Sequence, residues 1–238
     1  MIKLLGTILP SLVLVYFFVT QDRFPEPKKY IFITFFLGIL ICFPAGYLNS
    51  YVLDYLTYIF AYSSWDLEIE NFYYLRALIP GAGVEETLKL CILIFFCSRF
   101  SSFDEPMDGL VYGATAALGF AMYENFGYVN NADYYGTTWE NIAWIRAVLT
   151  APMHACCGAI LGFSLSYFYF FKRNYLIILI GWITAILFHA IFNYSAFAGI
   201  PLLGEIVLII QIIIVLLILR NLKKRQAMHE KILDNLYD

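Results

Sequence analysis

Charge is what this sequence has least of. Lys, Arg, Asp and Glu make up 14% of its 238 residues, while 61% are hydrophobic. A soluble domain carries about 25% charged residues, so a globule with a water-facing charged surface is excluded. At roughly 20 residues per membrane-spanning helix, the chain has room for about six to eight spans and none for a separate soluble domain. CxxC spacing is lacking as well: Cys42, Cys91, Cys97, Cys156 and Cys157 all fall within or at the ends of apolar runs, where they read as packing residues rather than thiolate metal ligands. The first apolar run, Ile2 to Thr20, lacks the small residues of a cleavage site and has bulky Tyr16, Phe17 and Phe18 instead. It reads as a retained helix.

What is present is a series of long apolar runs. They place spans at residues 2–20, 30–48, 76–98, 107–129, 142–170, 175–197 and 202–219, an all-α polytopic membrane bundle of about seven transmembrane helices. Tyr51, Tyr55, Tyr58, Tyr62 and Trp65, with Asp54 among them, suit a helix at the membrane interface better than another crossing. Basic residues alternate between connections. The first has Arg23, Lys28 and Lys29, the third Arg99, the fifth Lys172 and Arg173, and the tail Arg220, Lys223, Lys224, Arg225 and Lys231; the second, fourth and sixth have none. Positive loops stay cytoplasmic, which puts the N-terminus outside and the C-terminus inside, although Lys3 points the other way. Residues 1–220 form one helical unit with a motif core at 76–197, and residues 221–238 form a basic, then acidic, cytoplasmic tail. No internal repeat is visible. Gly109-x-x-x-Gly113 and Gly158-x-x-x-Gly162 allow close helix approach.

Ionisable side chains inside such spans cost about 2.5–3.5 kcal/mol each on insertion scales, so each one asks for a reason. Glu85, Glu86 and Lys89 lie on the third span, Glu124 and Asn125 on the fourth, His154 on the fifth, and His189 and Asn193 on the sixth. Glu85 and Lys89 are four apart and share a helix face, which makes them the expected pair; Glu86 lies about 100° round, with no partner on its own helix. Pro80, Gly81 and Gly83 weaken the helix just before the glutamates, and Pro152 precedes His154. Counted from the outer ends of the spans at about 1.5 Å per residue, Glu85, Glu124, His154 and His189 all lie roughly 7 to 18 Å deep. Four helices thus bring acids, imidazoles and an amide to one layer in the outer half of the membrane.

Such a layer suits hydrolysis of a peptide. A buried glutamate, Glu85 or Glu86, can take a proton from water; His154 and His189 with Glu124 can ligate zinc and leave a position open; the Asn193 amide can donate to an oxyanion. The same groups suit a proton- or ion-coupled transporter with a mid-membrane binding site, or a scaffold with no chemistry. Paired, symmetric halves with broken helices, common in transporters, are absent, and a scaffold has no need of all these groups at one depth. Arg146, just inside the fifth span, reads as a snorkelling side chain, and Trp139 and Trp144 as an interfacial belt.

The order Glu85-Glu86-x-x-Lys89, Phe120-x-x-x-Glu124-Asn125, His154 and His189-x-x-x-Asn193 resembles the PrsW family of bacterial membrane proteases over residues 76–197. It is also similar to the wider set that includes the CAAX-processing proteases. Glu124 stands where the CAAX-type motif has His, and Lys89 where an Arg often follows the paired glutamates; both departures favour PrsW and count against a prenyl-protein substrate. The resemblance implies a multi-pass protein of the bacterial cytoplasmic membrane that makes the first, outward-side cut in a single-pass membrane protein, typically an anti-sigma factor, to start a stress response. The implied partners are that substrate and the lipid bilayer, with no nucleic acid. Zinc and a metal-free glutamate mechanism both remain open.

Overall fold

The helix carrying residues 106–130 is buried along most of its length, and the rest of the molecule is arranged around it. The computed structural model describes residues 2–62 and 69–237. The described residues form α1 (Ile2–Val19), α2 (Lys28–Leu40), α3 (Cys42–Tyr62), α4 (Ile69–Arg76), α5 (Glu85–Phe95), α6 (Pro106–Asn130), α7 (Trp139–Ile145), α8 (Ala151–Phe170), α9 (Tyr175–Phe197) and α10 (Pro201–Tyr237), without a strand. A π-helical segment, Ala77–Val84, joins α4 to α5, and another, Arg146–Thr150, joins α7 to α8.

With α2 running into α3, and the π-segments continuing their helices, the elements make seven helical rods. Five of them are long and apolar enough to cross a membrane: Ile2–Val19, Lys28–Tyr62, Trp139–Phe170, Tyr175–Phe197 and Pro201–Met228. The other two, residues 69–95 and α6, carry Glu85, Glu86, Lys89, Asp108 and Glu124. Every residue of α6 from Met107 to Ala121 is buried. A helix enclosed by protein has no need of the lipid-facing Leu and Ile that α10 displays at Ile206, Ile209, Ile213, Leu216 and Leu217.

Glycine lets α6 sit so deep. A Cβ on Gly113 would come within 2.1 Å of the Gly158 carbonyl oxygen, and one on Gly162 within 1.7 Å of that of Gly109. The two glycine pairs legible in the sequence therefore meet each other, and the α6 and α8 backbones touch. On another side of α6, Gly38 and Gly119 bring α2 equally close.

The structure departs from the sequence reading in one place. Tyr51–Tyr62 is no separate interfacial helix but the second half of α3, continuous with Cys42; Trp65 lies outside the described residues. Through Tyr237, the tail continues α10 without a break. At about 1.5 Å per residue the 37 residues of α10 span about 55 Å, well beyond a hydrocarbon core of about 30 Å. Its far part packs on the ends of other helices: Lys223 Nζ donates to Gln21 Oε1 at 2.7 Å, and the Arg225 guanidinium sits 4.5 Å from the Phe171 ring centre.

Candidate active site

Pro80 has no N–H to donate and its ring crowds the preceding turn, and Gly81 and Gly83 add little helical preference. The helix there widens into the π-segment Ala77–Val84, which presents Glu85 and Glu86 at the start of α5. A cavity of about 1000 Å³ opens beside it, with Glu85, Glu124, His154 and Asn193 on its wall.

Glu86 is fully enclosed. Its Oε1 accepts from Lys89 Nζ at 2.7 Å and from His189 Nδ1 at 2.7 Å. Lys89 lies 4.0 Å from Glu85 Oε2, so the expected Glu85–Lys89 pair is the longer of the two and the glutamate read as partnerless is the better held. Positions three and four apart both neighbour a lysine on a helix; His189, arriving from α9, binds the same oxygen of Glu86.

Lys89 Nζ also lies 3.0 Å from His154 Nδ1, and His154 Nε2 lies 3.0 Å from Glu124 Oε2. An ammonium group only donates, so Nδ1 of His154 is an acceptor and its ring proton sits on Nε2, donated to Glu124. In His189 the Nδ1 proton goes to Glu86, which leaves Nε2 of a neutral ring as an acceptor 3.9 Å from Glu85 Oε2. The two imidazoles stand perpendicular, 4.8 Å apart.

Glu85 is held by one amide: Asn49 Nδ2 donates to its Oε1 at 3.3 Å, while its enclosed Oε2 has no hydrogen-bond partner. Glu85, His154 and His189 each offer a ligand atom within 4.8 Å of the others. Two histidines and a carboxylate are the donor set of a catalytic zinc site, with a position left for water, and Glu86 on His189 Nδ1 is the outer carboxylate that such a histidine usually has. The residues present therefore fit a metal, provided that His154 turns to it the Nδ1 lone pair that Lys89 meets in this arrangement. Of the expected trio His154, His189 and Glu124, the two histidines belong to this group. Glu85 stands third, and Glu124 is engaged by His154 and Arg146.

Arg146, which the sequence places as a snorkelling side chain, belongs to this group. It pairs with the Glu124 carboxylate, Nη2 to Oε2 at 2.8 Å, donates from Nε to Asn125 Oδ1 at 2.5 Å, and lies 3.8 Å over the Tyr128 ring. A signal for it existed: Arg146 and Glu124 lie at similar small distances from the outer ends of adjacent spans. Asn49 carried no comparable signal. Asn193 follows His189 by one turn, on the cavity wall, and its Nδ2 lies where a Cβ on Gly81 would come within 2.9 Å. All five cysteines are free, and none belongs to this group.

The sequence matches the family described as PrsW family intramembrane metalloprotease over residues 26–219. It is 32% identical over 159 residues to Protease PrsW of Bacillus subtilis (strain 168), covering 66% of this chain and 65% of that one. Against Protease PrsW of Oceanobacillus iheyensis it is 27% identical over 193 residues, covering 79% of each, and against that of Geobacillus kaustophilus 30% over 157 residues, covering 65% of this chain and 61% of the other. The match thus spans just under two thirds of the Bacillus and Geobacillus relatives. No solved structure matches the chain. The family match takes in every residue of the acid–histidine group, and with it this multi-pass membrane chain belongs to the PrsW family of intramembrane metalloproteases.

Proposed function

We propose that this protein hydrolyses a peptide bond near the outer face of the membrane in a single-pass membrane protein, with an anti-sigma factor as the substrate type. The observation that carries the reading is the burial of Glu85, His154 and His189 within 4.8 Å of one another beside a cavity of about 1000 Å³.

Glu85, His154 and His189 would hold zinc, whose chemistry there is to acidify a water and polarise the scissile carbonyl. The remaining roles fall to the chain. The carboxylate of Glu85 has two oxygens and lies on the cavity wall, so the oxygen not on the metal is assigned to the water proton. Glu86 and Lys89 do not line the cavity and act as positioning residues, fixing His189 and His154. Glu124, anchored by Arg146, holds the Nε2 proton of His154. Asn193 is assigned to the developing oxyanion.

An outward-facing site follows from the alternation of basic connections, with the N-terminus outside and the C-terminus in the cytoplasm. Packing supports that parity: Gln21 of the first connection, Glu105 of the third and Phe171 beside the fifth all meet α10 at one end of the bundle.

The test is cleavage of a panel of tagged single-pass membrane proteins, co-expressed with the wild type and with Glu85→Ala, His154→Ala and His189→Ala, then repeated in detergent with a chelator. Cutting of an outer segment by the wild type alone, lost on chelation and restored by zinc, is the expected result. Cutting that survives in all three variants would overturn the site, and ion flux in liposomes without any cutting would replace the protease with a transporter.

A further inference from the structure

A second group of acids lies at the opposite end of α6. Asp108 precedes Glu124 by sixteen residues, about 24 Å along a helix, so the two groups are separate. Asp22, in the connection after α1, Glu105, in the connection before α6, and Asp108, in the first turn of α6, offer oxygens within 4.8 Å of one another. Glu26 adjoins Asp108 and accepts a hydrogen bond from the Tyr112 hydroxyl. Gln226 of α10 reaches in between, its Nε2 donating to Asp22 Oδ1 at 2.7 Å and to Glu105 Oε1 at 2.5 Å.

Four carboxylates gather here, and no Lys or Arg among the described residues forms an ion pair with any of them. Asp22, Glu26 and Asp108 are 8%, 6% and 0% exposed, and Gln226 is 4% exposed. Hydrogen bonds satisfy one side of the group: Asp108 Oδ2 accepts from the backbone N–H of Asp104 and Glu105 at 2.8 and 2.7 Å, and Asp22 Oδ1 from that of Phe24 at 2.9 Å. The other side is bare. Asp22 Oδ2, Asp108 Oδ1 and Gln226 Oε1 are enclosed and have no partner. A buried acceptor without a donor costs about 1–3 kcal/mol, more when it is charged, so three in one place among four carboxyl groups call for a positive partner.

We propose that Asp22, Glu26, Glu105, Asp108 and the side-chain carbonyl of Gln226 form a site for a hard divalent cation, Mg2+ or Ca2+, that fastens α10 to the helix connections. Carboxylate and amide oxygens without nitrogen or sulfur donors select such ions over zinc. The ion would link the first connection, the third connection, α6 and α10, the last of which is otherwise joined at this point through the Gln226 amide.

Thermal unfolding of the full chain in detergent tests this, with a zinc-selective chelator held constant so that the acid–histidine group does not contribute. Saturating Mg2+ or Ca2+ should raise Tm by about 5 °C or more in the wild type. The rise should vanish in Asp108→Asn and Glu105→Gln and persist in His154→Ala. If Asp108→Asn does not fold, Glu105→Gln, at a half-buried position, decides alone. No rise in the wild type, which is what carboxyls bridged by shared protons would give, overturns the proposal. So does a rise left intact by Glu105→Gln.

Discussion

His189 and Glu86 are joined by a 2.7 Å hydrogen bond from Nδ1 to Oε1, which leaves Nε2 of the ring 3.9 Å from Glu85 Oε2. The enclosed glutamate thereby sets the tautomer of the histidine and aims its free nitrogen toward the Glu85 carboxylate.

Glu86→Gln keeps the shape and removes the charge. It should weaken zinc binding or cleavage about 10- to 100-fold, the usual effect of losing an outer partner, whereas His189→Ala should abolish both. Zinc content of purified protein, measured beside cleavage of a tagged substrate, checks this. The same pair of measurements sorts the roles of Glu85: a Glu85→Gln protein that retains zinc and fails to cut has lost its base, and one that has lost zinc has lost a ligand.

Arg146→Ala should strand Glu124, whose side chain is only 23% exposed. Breaking a largely buried pair on one side costs about 3–5 kcal/mol, so thermal stability and cleavage should both fall. Arg146→Lys should not restore cleavage, because one ammonium group cannot meet Glu124 and Asn125 with the planar fork of a guanidinium. Full rescue by lysine would reduce Arg146 to a source of charge.

Gly113→Ala places a methyl group within 2.1 Å of the Gly158 carbonyl oxygen. Overpacking of this kind costs about 1–3 kcal/mol or more, and since both contacts are backbone there is little to yield. Gly127→Ala, on the same helix with nothing within 4 Å, should instead gain about 0.5–1 kcal/mol from helix preference. Unfolding of the two variants in detergent gives the comparison.

Single cysteines test the orientation in a background where the five native ones are replaced. Asp133→Cys, between α6 and α7, should react with a membrane-impermeant thiol reagent in intact cells. Arg173→Cys, between α8 and α9, should react only after permeabilisation. The reverse pattern would put the acid–histidine layer in the cytoplasmic half.

Much of the acid–histidine group was legible because helical rise converts a residue's place in a span into a height, and Glu85, Glu124, His154 and His189 coincide in height. The flaw at Pro80-Gly81-x-Gly83 was legible too, since those residue types weaken a helix in any context. Azimuth was harder. Lys89 has glutamates three and four residues before it, and only the arrival of His189 from another helix distinguishes their environments. Asn49 was hidden because α3 reads as an aromatic surface helix in its second half, and helical continuity leaves no compositional trace. Asp22 lies in the first connection and Glu105 and Asp108 at the start of the fourth span, and nothing in the sequence joins these two stretches before the fold brings them together.

The glycine seam between α6 and α8 has a consequence for entry. Glu124 and His154 stand on two helices whose backbones are in contact, so the spacing of that half of the site is set by main chain and resists being pried apart. α3 faces the cavity from the other side and buries only Ala45 along its length. A peptide drawn out of the bilayer would meet one wall fixed by main chain and another, α3, with little of its surface buried.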